Sequence, residues 1–157
     1  MELKGGLHME SIYDVARYFL TRESMTHKKL QKLCYYAQAW HMANFGVPLV
    51  SNCFEAWIHG PVSPDLYDRY RMWGWEPIPQ VAEEVVFKHK NTPLFLDKVY
   101  EVYGCYTADE LESMTHAETP WRQARGGCSA SAYSRNPISL SVMRDYYSER
   151  MGKNSGA

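Results

Sequence analysis

The chain has 157 residues, 45% of them apolar and 14% aromatic, with 12 Tyr and 5 Trp. That length suits one domain with one sizeable core rather than two. Its 17 basic and 18 acidic side chains leave a net charge of −1, which argues against a domain built to neutralise nucleic-acid phosphates.

Residues 1–10, with Gly5-Gly6 and a second methionine at Met9, read as a flexible leader; they lack the apolar stretch of a signal peptide. Ser11, with Asp14, caps a first helix whose Ile12, Val15, Ala16, Phe19 and Leu20 recur on one face. Thr26 caps a longer helix over 26–44. There Leu30, Leu33, Cys34, Ala37, Trp40 and His41 share a face, and Tyr35-Tyr36 widen the apolar girth to that of a central core helix. Gly46 is the expected C′ residue. Phe54 to Ile58 is short and apolar, an extended segment or strand. Ser63-Pro64-Asp65 then combines a cap, a proline at the first helical position and an acid in the first turn. This helix is expected to reach Met72 and stop before Gly74.

The stretch 75–92, with Val85-Val86-Phe87, admits a short strand or hairpin. Thr92-Pro93 opens a helix with Phe95, Leu96, Val99 and Tyr103 inward, closed by Gly104. Thr107-x-x-Glu110 is a capping box for the next, through Leu111 and Met114. Thr119-Pro120 opens a short helix around Trp121 and Ala124, with Thr119 as its cap. Residues 125–137 read as loop, and a last helix from Ser139 to Arg150 presents Val142, Met143, Tyr146 and Tyr147. Residues 151–157 read as a flexible tail. The expected fold class is mainly α: a compact single-domain helical fold over 11–150, with at most a short β-strand or hairpin. No apolar run is long enough to span a bilayer, so a cytoplasmic protein with no membrane partner is expected.

The side chains that could carry chemistry give no catalytic or metal motif. Cys34, Cys53, Cys105 and Cys128 stand far apart with no CxxC pair; they read as reduced, mostly buried thiols. Cys34 with His41, or Cys128 with His116, would need hydrogen-bond reach and a third orienting group to act as a nucleophile pair. Cys34 on an apolar face favours packing instead. His41, His59, His89 and His116 lack ligand spacing such as HxxxH, and there is no HExxH. Neither enzyme activity nor a cofactor or metal is expected. Lys28, Lys29 and Lys32 permit a second reading, a DNA-binding transcriptional regulator using the helix at 26–44, which the neutral charge disfavours.

Two signatures remain: Trp57-Ile58-His59-Gly60-Pro61-Val62-Ser63-Pro64, and Met114-Thr115-His116 followed by Thr119-Pro120-Trp121. The first can be a well-built connection into the next helix, or a rigid loop that presents Trp57 and His59 to a partner. Trp, Tyr and Arg are the usual interface anchors. The expected partner-binding set is Trp57, His59, Tyr67, Tyr70, Arg71 and Trp73, with Arg69 and Trp75 extending that surface. For the second signature, Trp121 is expected on the core and His116 at a helix end.

The ordered blocks Leu30-Gln31-Lys32-Leu33, Tyr35 to His41, Pro48-Leu49, Glu55-Ala56-Trp57, Gly60-Pro61-Val62, Leu111 to His116 and Pro120-Trp121 resemble the Panacea domain, the SocA-like, phage-associated antitoxin family. The resemblance spans about 11–150. It implies a bacterial or prophage antitoxin that binds and neutralises a cognate toxin protein encoded by an adjacent gene. One described member of that family delivers its toxin to a protease, so a protease is a further implied partner. No residue is carried over as catalytic.

Overall fold

The structure is a computed structural model that describes residues 8–156, with side chains through Met151. Of the leader and tail read from the sequence, residues 1–7, residue 157 and the side chains of 152–156 lie outside the described residues.

Among the described residues, seven α-helices and one hairpin follow in chain order: α1 (Ile12–Leu20), α2 (His27–Phe45), β1 (Glu55–Trp57), β2 (Gly60–Val62), α3 (Pro64–Tyr70), α4 (Thr92–Tyr103), α5 (Ala108–His116), α6 (Thr119–Arg125) and α7 (Leu140–Gly156). A single 3-10 turn, Arg71–Trp73, extends α3 up to Gly74. The fold is therefore mainly α, as the helical periodicity predicts. The caps act where the side chains allow it. Ser11 accepts from the Tyr13 N–H, Thr26 from Lys29 and Ser63 from Leu66, each satisfying an orphan donor of a first turn. Thr107 and Glu110 close both bonds of the capping box. Gly46 ends α2 in the left-handed conformation at φ +73, where a Cβ would be strained.

Helix α2 is the axis of the molecule. It packs against α1, α4, α5, α7 and β2, and from Leu30 to Ala39 every residue is buried. A helix enclosed on all sides must satisfy its polar members internally. Gln31 does so with both backbone groups of Ser63, its amide oxygen accepting at 2.9 Å and its nitrogen donating at 3.1 Å. Gln38 accepts from Leu49 and Val50 and donates to the Val50 carbonyl. Each amide replaces a missing β-partner for a passing loop.

Strands β1 and β2 pair antiparallel, with Glu55 opposite Val62, Ala56 opposite Pro61 and Trp57 opposite Gly60. Residues 136–138 line the other edge of β1: Ala56 N–H donates to the Asn136 carbonyl and Ile138 N–H to that of Phe54, both at 2.8 Å.

Several sequence expectations are corrected. The stretch 75–92 forms no strand; Ile78 and Val81 pin it through backbone bonds to Met25 and Leu20, while Val86 faces solvent. Three of the four thiols are exposed, and only Cys34 is buried. Thr119 is the first residue of α6 rather than its cap, a place taken by Glu118. Helix α7 continues past Arg150 to Gly156. Glu10, assigned to the leader, is buried and accepts from the Lys88 and His89 N–H groups and the Thr92 hydroxyl. No helix among the described residues is long and apolar enough to cross a membrane.

Candidate functional site

The two sequence signatures meet in space. Trp121 on α6 donates its indole N–H to the Trp57 carbonyl at 2.9 Å, and His116 stacks on the Trp121 ring at 3.9 Å. Arg125, buried without a carboxylate, donates to the carbonyls of Ala56, Ser129 and Ala132. The downstream block is thus a brace behind the hairpin: α6 holds β1 on one side and the 126–135 loop on the other. Trp121 is buried against the core, as the sequence implies.

In front of the hairpin lies an open cavity of about 440 Å³. Four of the expected partner-binding residues line it: Trp57, His59, Tyr67 and Arg71. The Tyr67 ring meets Trp57 edge-on at 4.9 Å, and the Arg135 guanidinium lies over the Trp57 ring at 5.1 Å. The other two sit elsewhere. Tyr70 is buried in the core, and Trp73 is half-buried against it. Helix periodicity explains the split, because Tyr67 and Arg71 share one face of the α3 turn while Tyr70 turns inward. Trp75, named only as an extension, stands 81% exposed at the cavity, and Tyr133 stands 79% exposed beside it. Tyr133 arrives from a loop that carries no periodic signal.

The floor comes from α2. Lys32 is buried, and Gly60 makes room for it: a Cβ at Gly60 would lie 2.6 Å from the Lys32 Cε. Gly60 also has φ +111, which disfavours any other residue. Burial, aided by the Lys28 charge and opposed by Glu112, brings the Lys32 ammonium down to about 7 from its ordinary 10.5. Burial lowers His27 too, with the Lys32 charge as a second cause, and the His27 Nδ1 is buried without a partner. Behind the floor, Glu112 receives Lys28 and His59, at 3.2 Å for the latter. Burial would raise this carboxyl, but those hydrogen bonds outweigh it and hold it below the usual range.

The other chemical candidates separate. Burial drives the Cys34 thiol well up, so a thiolate there is disfavoured. Cys128 and His116 border a shared hollow, yet no hydrogen bond joins them among the described residues. No three of His, Cys, Asp or Glu among the described residues gather as metal ligands. The lysines that a DNA-reading helix would need are engaged or enclosed: Lys28 with Asp109 and Glu112, Lys29 with Glu23 and the Gly104 carbonyl, and Lys32 in the floor.

What this arrangement defines is a helical scaffold that displays an aromatic, basic face. The chain belongs to the SocA-like antitoxin, Panacea-domain family, whose model matches residues 30–122. That span contains α2, the hairpin, α3 and the Trp121 brace. Comparison with curated proteins and with solved structures finds no match. Membership in an antitoxin family implies a toxin partner and points to a non-catalytic role.

Proposed function

We propose that this protein is an antitoxin that neutralises a cognate protein toxin by direct, stoichiometric binding inside the cell that makes both. Family membership carries the reading. The cavity face supports it, because Trp75 and Tyr133 are large aromatics left in water on a braced surface. An exposed patch of that kind marks interaction sites more often than ordinary surface. The contact set is Trp57, His59, Tyr67 and Arg71 together with Trp75 and Tyr133. Tyr70 and Trp73 act through packing.

The test is co-expression. The product of the neighbouring gene, expressed alone, is expected to arrest growth; this chain is expected to restore growth and to copurify with it. A Trp75→Ala, Tyr133→Ala double variant should lose both properties while melting as the parent does. A harmless neighbour, or full rescue by the double variant, counts against the reading. Toxin half-life separates the two routes of neutralisation: an unchanged half-life indicates blocking, and a shortened one indicates delivery to a protease.

A further inference from the structure

The cavity contains a group that a protein-binding face does not require. Lys32 is 1% exposed and its side chain makes no hydrogen bond or ion pair among the described residues, although it lines the cavity floor. A buried ammonium without an acceptor is costly: alone it is relieved by losing its proton, and an anion seated beside it would hold it charged. The nearby carboxylate does not supply it directly, since Glu112 is taken by Lys28 and His59.

The lining is strongly one-sided for a chain of net charge −1. It includes His27, Lys28, Lys32, His59 and Arg71, and no Asp or Glu. Three of these cationic or donor groups remain unused. The side chains of Lys32 and Arg71 make no hydrogen bond or ion pair among the described residues, and the His27 Nδ1 has no partner. A carboxylate would be neutralised by the lysine alone. A phosphate offers more charge and three terminal oxygens, enough for all three groups. The rest of the wall is aromatic, and an inorganic ion would leave the exposed Trp75 and Tyr133 rings idle. The volume, about 440 Å³, lies in the roughly 300–1,000 Å³ range of small-molecule sites.

We infer that this cavity binds a small aromatic phosphate of the nucleoside monophosphate class. The phosphate sits on Lys32 with Arg71 and His27 beside it, and the base lies against Trp75 and Tyr133. The site requires nothing of the toxin contact, although it shares that face, so it is tested on the isolated chain.

The experiment is calorimetric titration with AMP, GMP, CMP and UMP, with adenosine and inorganic phosphate as the two half-ligands. At least one nucleotide is expected to bind, and each half-ligand to bind at least about tenfold more weakly than that nucleotide. Lys32→Met should weaken nucleotide binding by about tenfold or more, the loss of one charge-assisted hydrogen bond. Arg71→Gln, at an exposed position that cannot endanger the fold, should weaken it severalfold. Trp75→Ala should do the same for the nucleotide and leave inorganic phosphate unaffected. No binding of any nucleotide at millimolar concentration overturns the assignment. Equal binding by inorganic phosphate removes the aromatic half of it, and wild-type affinity in both Lys32→Met and Arg71→Gln removes the anionic half. Failure of the co-expression test with intact nucleotide binding would sink the toxin reading and leave this site standing.

Discussion

Helix α2 carries two buried polar regions about one turn apart, and they are built to opposite specifications. Toward its middle, Tyr36 and Tyr147 both donate to the Glu118 carboxylate, at 2.8 and 2.7 Å, and Tyr35 meets the Tyr147 hydroxyl at 3.2 Å. Tyr36 stacks on Tyr103, whose hydroxyl accepts the Trp40 indole N–H at 2.7 Å. Every member has a partner, and burial pushes the tyrosines Tyr35, Tyr36, Tyr103 and Tyr147 up, so they remain neutral donors. Toward its start, the His27 Nδ1 is buried without a partner, and the Lys32 side chain, 1% exposed on the cavity floor, has no side-chain partner among the described residues. A satisfied network rigidifies a core, whereas an unpartnered buried cation calls for a separate explanation, which the proposed anion site supplies. The difference assigns structure to the tyrosine cluster and recognition to the lysine.

The largest way to break that contrast is at Gly60, the cover of the lysine. Gly60→Ala adds a Cβ into Lys32 at a positive φ and is expected to cost about 3 kcal/mol, read as a lowered denaturation midpoint. Lys32→Met goes the other way. It removes an unpartnered buried charge and should stabilise the free chain by about 2 kcal/mol.

Its pH signature sharpens the assignment. With a folded value of about 7 against an ordinary 10.5, the unfolded chain holds more protons between those values, so the stability of the parent rises with pH across that window. Below about pH 7 the penalty is present in full. Lys32→Met should flatten the rise in a thermal melt series; an unchanged slope would mean that the lysine is not enclosed as described.

At the tyrosine cluster, Glu118→Gln retains an acceptor for both hydroxyls and should cost only about 1 kcal/mol. Burial raises the Glu118 carboxyl against the two tyrosine bonds that lower it. Its contribution is therefore present below the ordinary carboxylate value of 4.5 and is lost as pH rises through the folded one. The Gln variant should lack that decline.

The smallest effect belongs to the rim. Trp75→Ala should change stability by less than about 0.5 kcal/mol, while Trp73→Ala, half-buried on the core, should visibly lower the melting temperature. Equal melting of the two would erase the distinction between display and packing.

Much of the scaffold was legible in the residues themselves. Ser11, Thr26, Ser63 and Thr107 announced four helix starts because capping is local chemistry, decided within three residues. The inward faces of α1 and α4 followed from spacing, and so did the central place of α2, apolar around its girth. The extended segment at 55–57 was likewise legible, and Trp57, His59, Tyr67 and Arg71, grouped from the sequence, line one cavity. Val85-Val86-Phe87 misled, because a β-branched run forms a strand only where an edge is free to pair with it. Glu10 gave no signal, since its partners lie near residue 90.

Tertiary structure alone decided which aromatics remain in water. Tyr70 closes α3 and is buried against the core, whereas Trp75 follows the 3-10 turn past Gly74 and stands exposed at the cavity. Tertiary structure also decided that His116, Trp121 and Arg125 brace the hairpin, and that Lys32 ends beneath Gly60. Local propensity is a property of a few adjacent residues. A cavity is a property of the space between elements distant in the chain, here α2, the hairpin, the α3 turn and the 126–135 loop.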